Sequence, residues 1–247
     1  MHIGLITLFP EIFTALNHGI TGRAIKNKII ELTITNPRDF TTDIHRTVDD
    51  RPYGGGPGMV MKAEPLLSAI EHTKRIVGQD CKVVYLTPQG KKIDQTLIQS
   101  AASKDRMIFV SGRYEGIDER VIQLAIDDEW SIGDYVLSGG EFAALVAIDA
   151  ITRLLPNALG DSESAQQDTF ANGLLEFAHY TRPEEIAGLS VPKVLLSGDH
   201  AAISRWRLKE SLGKTWLRRK ELLQCRVLSD LEQQLLDEFI SEYKSER

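Results

Sequence analysis

Glu129-Trp130-Ser131-Ile132-Gly133-Asp134-Tyr135-Val136-Leu137-Ser138-Gly139-Gly140-Glu141 is the stretch on which the reading of this chain turns. Gly133, Gly139 and Gly140 let the backbone turn sharply, or approach a ligand where a β-carbon would clash. Ile132, Tyr135, Val136 and Leu137 supply apolar surface, so the stretch can build a pocket out of main-chain groups. It can equally be a strand-to-helix connection whose glycines only satisfy turn geometry. Phe142 to Leu155, which follows, is apolar on most faces and predicts a buried helix stopped by Pro156. A loop anchored on a buried helix is held still.

Upstream, strand-like and helix-like segments alternate. Ile3 to Phe9, Ile29 to Thr35, Cys81 to Thr87 and Met107 to Ser111 are the predicted strands, with Glu64 to Val77 and Ile93 to Ser103 as helices. Such alternation gives an α/β fold, a mostly parallel sheet flanked by helices. Ligands of these sheets gather at the carboxyl ends of the strands. Here those ends carry Leu86-Thr87-Pro88-Gln89-Gly90, then Gly112-Arg113-Tyr114-Glu115-Gly116, then the opening stretch. Three polar, glycine-bearing loops are therefore expected to converge on one edge. Asn36 to Met59, before them, is a long irregular segment, and a loop of that length inside a compact domain is functional or mobile.

Two phosphate-binding fingerprints are excluded. No G-x-G-x-x-G follows a strand and opens a helix, which argues against a Rossmann-type NAD enzyme. Gly213-Lys214-Thr215 has Leu208 where a P-loop needs glycine, and an apparently helical segment where it needs a strand.

At 247 residues and 42% hydrophobic content, the chain suits one main domain plus a smaller one. Cys81 and Cys225 lie far apart without C-x-x-C spacing, which argues against a disulfide framework or a zinc site and fits the reducing cytoplasm. The apolar opening residues lack a basic flank and are cut short by Pro10 and Glu11, so they read as a buried strand rather than a leader. No uncharged apolar run reaches the roughly 18 to 20 residues of a membrane span. The net charge of −6 hides an asymmetry, because acids dominate Glu115 to Glu141 whereas Lys193 to Arg226 is basic. A polyanion can dock on the basic part of such a protein.

Downstream of Pro156, Asn157 to Asn172 is polar and aperiodic and reads as a linker or lid. Ala201 to Leu212, Thr215 to Gln224 and Leu231 to Tyr243 are helical by periodicity. The expected organisation is a main domain over 1–156, a linker or lid over 157–172 and a small C-terminal all-helical domain over 173–247. Trp206 and Trp216 sit among cations there, a mixture that suits a helix laid against RNA backbone and equally a solvated basic face over buried tryptophans. Arg205, Lys214 and Arg218 are the candidate RNA contacts of that segment.

Gly112-Arg113-Tyr114-Glu115-Gly116-Ile117-Asp118-Glu119-Arg120, the opening stretch, Val48 to Met59, and His179-Tyr180-Thr181-Arg182-Pro183 together resemble the bacterial tRNA (guanine-N1)-methyltransferase family, knotted enzymes of the SPOUT class. The likeness runs from Ile3 to Leu223. It implies a deep trefoil knot around Tyr85 to Gly90, Gly112 to Gly116 and Ser131 to Gly140. Topology rules prune knots away, so this expectation rests on the resemblance alone. It also implies a homodimer with active sites at the interface, and S-adenosylmethionine bound in the knot. Carried onto this chain, cofactor contacts fall on Tyr85, Leu86 and Pro88, on Gly112 and Tyr114, and on Ile132, Gly133, Asp134, Tyr135, Val136, Leu137, Gly139 and Gly140. The residue types agree, since main-chain groups can read adenine edges while apolar side chains enclose the ring.

The implied substrate is the guanosine immediately 3′ of the anticodon, in a single-stranded loop of the tRNA anticodon stem-loop that can splay out a base. Guanine N1 carries a proton, so methylation there requires a base. The resemblance places that base on Asp168, with Arg153 beside it stabilising charge that moves toward O6. Arg113 and Glu115 are taken as substrate-side residues. Other roles stay open for these residues: Asp168 can cap a helix beginning near Phe170, and Arg153 can simply complement a helix C-terminus. Glu115 and Asp134 can pair with Arg113 or lid residues, or help bind magnesium, which the family is reported to need and which no spacing here demonstrates. The chain departs from the family pattern at Lys220, where many members have proline, at Glu176-Phe177-Ala178, and in a short C-terminal tail. A non-catalytic RNA-binding scaffold and a knotted enzyme acting on ribose 2′-oxygen are the competing functions.

Overall fold

The computed structural model describes residues 1–159 and 168–245. It comprises two compact units, Met1–Ser162 and Glu163–Arg247. The first lays down β1 (His2–Ile6), a 3₁₀ segment (Pro10–Asn17), α1 (Gly19–Lys26), β2 (Glu31–Thr35), a 3₁₀ turn (Pro37–Phe40), β3 (Asp49–Asp50), β4 (Val60–Met61), α2 (Ala63–Val77), β5 (Lys82–Lys92), α3 (Gln95–Ala102), β6 (Arg106–Ser111), α4 (Glu119–Ala125), β7 (Asp128–Ser131) and α5 (Glu141–Leu154).

Alternation does build a parallel sheet. Its order is β2-β1-β6-β5-β7, with every neighbouring pair parallel. The inner strands are apolar on both faces because helices cover both. On one side Ile3, Leu5, Val84, Met107 and Phe109 pack with Ile98 of α3 and Ala144, Ile148 and Ile151 of α5. On the other, Ile6, Val83, Ile108 and Val110 meet Leu66, Ala69 and Ile70 of α2 and Val121 of α4. Each fully buried aliphatic or aromatic side chain contributes about 1.5–3 kcal/mol to this core. Helix α2 shows how the sequence specifies its place: Leu66, Ala69, Ile70, Thr73 and Val77 recur on one face, and Gly78 at φ 128° ends the helix.

Four expectations need correction. Strand β5 does not end near Thr87 but runs to Lys92. The segment 36–59 is partly ordered: Asn36 caps the 3₁₀ turn by accepting from Arg38 N, and β3 pairs antiparallel with β4. Helix α5 is not buried all round, since Phe142 and Val146 are about half exposed, four residues apart on one face. Helix α4, counted in the sequence only as part of an acidic run, is started by Asp118, whose carboxylate accepts from Arg120 N.

The second unit contains α6 (Lys193–Leu196), α7 (His200–Arg218), α8 (Lys220–Gln224) and α9 (Asp230–Ser245) around Leu174, Leu212, Leu235 and Leu236. It is not all-helical, because Glu185–Ile186 (β8) and Leu189–Ser190 (β9) form a short antiparallel ribbon. Helix α7 starts at Asp199, which accepts from Ala201 N and Ala202 N, both at 3.0 Å. It runs unbroken through Gly213, where two helices were expected. That glycine serves packing rather than termination, since a β-carbon on it would lie 2.3 Å from the Phe239 ring. Residues 160–167 of the expected linker lie outside the described residues. Among the described residues, no helix is long and apolar enough to cross a membrane. Cys81 is buried and Cys225 exposed, both as free thiols.

Candidate active site

Three segments meet at the carboxyl edge of the parallel sheet. β5 pairs with β7 as far as Leu86↔Trp130 and resumes at Lys91↔Trp130, so Thr87 to Gly90 leave the ladder and return to it. Gly90 makes the return possible, because a β-carbon there would stand 2.4 Å from the carbonyl carbon of Glu129. The segment after β6 is laid along β4, with Glu115 N donating to Met59 O and Met61 N to Gly116 O, each at 2.9 Å. Residues 132–140 then run from β7 back to the end of β6. There Gly139 bridges Arg113, and Gly140 N donates to Gly112 O at 3.0 Å.

The three enclose a cavity of about 280 Å³. Tyr85, Leu86, Pro88, Gly112, Tyr114, Ile132, Gly133, Tyr135, Val136, Leu137, Gly139 and Gly140 all line it, so the structure brings together every proposed cofactor residue except Asp134. Close approach explains the glycines. A β-carbon on Gly140 would meet Ser111 Cα at 2.9 Å, and one on Gly112 would meet the Tyr85 ring at 2.8 Å. Burial pushes the Tyr85 hydroxyl pKa above the ordinary tyrosine value. Tyr114 holds φ 61°, a left-handed conformation that costs a bulky residue about 1–2 kcal/mol, at the rim of the pocket. Apolar walls around main-chain groups brought close by glycine fit a flat heteroaromatic ligand such as the adenosyl part of S-adenosylmethionine.

Charged residues around the pocket are largely committed to one another. Asp134 pairs with Lys92, at the end of β5, which ties the returning strand to the loop. The Glu115 side chain lies where a β-carbon on Gly58 would be, 2.3 Å from its Oε1. Arg113 has its guanidinium 4.3 Å above the Phe9 ring and donates to Ser138 O at 3.2 Å. Its Nε also stands 3.0 Å from Oε2 of Glu141, a carboxylate with no exposed surface. Sequence reasoning placed Glu141 at the end of the glycine-bearing stretch and within an acidic run, with no role of its own, and Thr7 and Phe9 only within a strand. Nothing local marked them, since the contact joins residues 134 positions apart. Among the described residues, no group of three His, Cys, Asp or Glu side chains is placed to hold a metal ion.

Arg153 is in the last turn of α5. Asp168 belongs to the second unit, in a turn where its carbonyl accepts from Ala171 N at 3.1 Å; no helix begins at Phe170, whose φ is 72°. In α7, Arg205 is bridged to Glu238 at 2.7 Å, and neighbouring Lys209 to Glu242 at 2.7 Å. Arg218 is exposed and Lys214 half-buried. Trp216 packs into the small core and Lys220 stacks over it at 5.0 Å. Part of the basic helix thus cements helix to helix, and the cations nearer its C-terminus carry more of its outward charge.

An all-parallel sheet with a glycine-loop pocket at its carboxyl edge is the arrangement in which α/β enzymes hold their ligands. Residues 1–225 match the family model described as tRNA (Guanine-1)-methyltransferase TrmD. The chain belongs to that family and is a methyltransferase. It is 60% identical over 240 residues to a tRNA (guanine-N(1)-)-methyltransferase of Coxiella burnetii, covering 97% of this chain and 98% of that one. Proteins of the same name from Nitrosococcus oceani (60% over 248 residues, covering 100% of this chain and 98% of the relative) and Pectobacterium carotovorum (57% over 248 residues, 100% and 99%) are similar along nearly their whole length.

Proposed function

We propose that this enzyme transfers the methyl group of S-adenosylmethionine to N1 of the guanosine immediately 3′ of the anticodon in tRNA, in the cytoplasm. The observation that carries the reading is the convergence of three glycine loops on one pocket, in a chain whose family membership spans residues 1–225. When bound, S-adenosylmethionine supplies an electrophilic methyl on a sulfonium. Leu86, Ile132 and Leu137, which line the pocket, would enclose its ring, and main-chain groups of residues 132–140 would read the polar edges. Asp168 accepts the proton from guanine N1, and Arg153 stabilises the negative charge left on the ring and O6. The N1 lone pair is then the nucleophile. Arg218 and Lys214 hold tRNA phosphates, and Arg113 and Glu115 face the substrate side of the pocket. Arg205 reaches RNA only by exchanging Glu238 for phosphate.

The same reading takes the pocket segments to form a deep trefoil knot. Its support is that β7 pairs on the outer side of β5, while the following loop runs back to the end of β6. It also takes the enzyme to be a homodimer, supported by the half-exposed Phe142 and Val146 on the helix that anchors the donor loop. Domain roles follow: the first unit binds the donor, the expected lid supplies Asp168 to the base, and 173–247 grips tRNA.

Incubation with donor labelled in its methyl group, followed by digestion of the tRNA and identification of the nucleoside, tests the reaction. 1-Methylguanosine is expected. A 2′-O-methylated nucleoside would move the enzyme to another chemistry, and binding without transfer would make it a scaffold. Asp168→Asn is expected to retain donor binding and lose about 10²- to 10⁴-fold in turnover, the usual worth of a general base. Turnover close to wild type would remove Asp168 from that role.

A further inference from the structure

We infer that Glu141 is a positioning residue that acts through Arg113 to hold the 132–140 loop in its ligand-ready form. The inference rests on reading that loop as part of the donor pocket. Glu141 is the first residue of α5, where a carboxylate is favoured by the helix dipole, yet it points inward and has no exposed surface. Its Oε1 accepts from Thr7 Oγ1 at 2.8 Å, and Thr7 Oγ1 in turn accepts from Phe9 N at 2.9 Å. Its Oε2 faces Arg113 Nε at 3.0 Å, but the angle is too poor for a hydrogen bond, and both atoms are buried without one. What joins them is charge. The same guanidinium lies over Phe9 and donates to Ser138 O, a main-chain group of the loop.

One carboxylate thereby links the end of β1, the start of α5, the segment after β6 and the loop. Gly139 lies directly against the pair: a β-carbon there would be 2.3 Å from Arg113 Nε and 2.6 Å from Glu141 Oε2. A buried ion pair is weak evidence of stability, because apolar residues of the same volume serve a core as well or better. A pair that fixes one arrangement of a loop has a different use. Without the charge on Glu141, Arg113, whose side chain is 16% exposed, can turn outward and release Ser138.

Glu141→Gln keeps the size of the side chain and an acceptor for Thr7 while removing the charge. Amide exchange in the donor-free enzyme reads the loop directly, because Gly140 N is hydrogen-bonded to Gly112 O. Exchange at Gly140 is expected to quicken at least tenfold in Glu141→Gln, and unchanged exchange would overturn the inference. Calorimetry with S-adenosylmethionine and no RNA should show Kd raised about tenfold, with kcat at saturating donor and tRNA within about threefold of wild type. Equal losses in both would mark a general structural defect and count against positioning. Arg113→Met combined with Glu141→Gln, which leaves no buried charge and supplies a folded comparison if the single variant is poorly soluble, should exchange no faster than Glu141→Gln alone. Multiplying effects would show that the two act separately and defeat the inference. If wild-type enzyme itself fails to bind the donor, the pocket reading falls, while the exchange result still decides the role of Glu141.

Discussion

Gly140→Ala isolates steric fit from every other property of the donor loop. Gly140 has φ −79°, which alanine adopts without strain, so the backbone conformation is not what forbids the substitution. Space forbids it. The added β-carbon would stand 2.9 Å from Ser111 Cα and 3.3 Å from both Gly112 N and Leu86 Cβ. Ordinary contact begins near 3.4 Å, so the loop must retreat from the end of β6 by at least 0.5 Å, the difference between 3.4 and 2.9 Å. That movement stretches the 3.0 Å hydrogen bond from Gly140 N to Gly112 O. Losing the bond costs about 1 kcal/mol, and overpacking against backbone costs about 1–3 kcal/mol. If about 2 kcal/mol of this must be restored when the donor binds, Kd rises roughly 30-fold. The rest appears as a Tm lowered by about 2–4 °C per kcal/mol for a chain of this size. Calorimetric titration with S-adenosylmethionine and a thermal melt measure both. Gly55→Ala is the control, since Gly55 has nothing within 4 Å of the added carbon and carries only the strain of φ 77°. Donor affinity within twofold of wild type and a melt within about 1 °C for Gly140→Ala would refute the close-approach account of the pocket.

Three further outcomes are expected. Gly213→Ala should loosen the second unit, because the new methyl collides with Phe239 on α9; amide exchange in α7 should accelerate while exchange in β1 and β6 stays unchanged. Phe142→Asp should convert the proposed dimer to monomer in sedimentation experiments, and an unchanged sedimentation coefficient would remove that face from the interface. The third concerns acid. Hydrogen bonding from the Arg120 side chain, with burial opposing it, lowers the Asp118 pKa from 3.8 to about 2. A lowered carboxylate stabilises the fold above its unfolded pKa, and that contribution is lost as pH falls through the folded value. Asp118→Asn should therefore flatten the loss of stability between about pH 3.8 and pH 2, because the variant keeps the cap of α4 but lacks, already at neutral pH, the contribution of the charged pair with Arg120.

The sheet was legible because its cause is local. Apolar runs such as Met107 to Val110 can be buried only between layers of helices, and the intervening amphipathic segments provide the layers. The pocket edge was legible for a related reason, since glycine-bearing loops followed three of those strands. What escaped depended on partners distant in sequence. Pro88 and Gly90 look like the end of a strand, and only pairing with Trp130 and Ser131 lets β5 resume. Gly213 looks like a helix stop until Phe239 is seen to fill the space beside it. Glu141 closed the glycine stretch without a role of its own until Thr7, just beyond the first strand, was found hydrogen-bonded to it. The roles proposed for Asp168 and Arg153 rest on family resemblance alone, because neither residue is distinguished by its neighbours in sequence.

The excursion of β5 between Leu86 and Lys91 bears on how this protein can change over evolutionary time. Both flanks of those residues are hydrogen-bonded to the same partner strand, so the segment behaves as a span of fixed length between two piers. A substitution within it alters one side chain. An insertion or deletion of one residue displaces Lys91 and Lys92 against Trp130 and Ser131, and a one-residue slip in a strand turns every following side chain to the opposite face. Lys92 would then be carried away from Asp134, and the loop across the pocket would lose its tether. Descendants of this sequence are therefore free to vary the chemistry of that pocket wall far more than the number of residues in it.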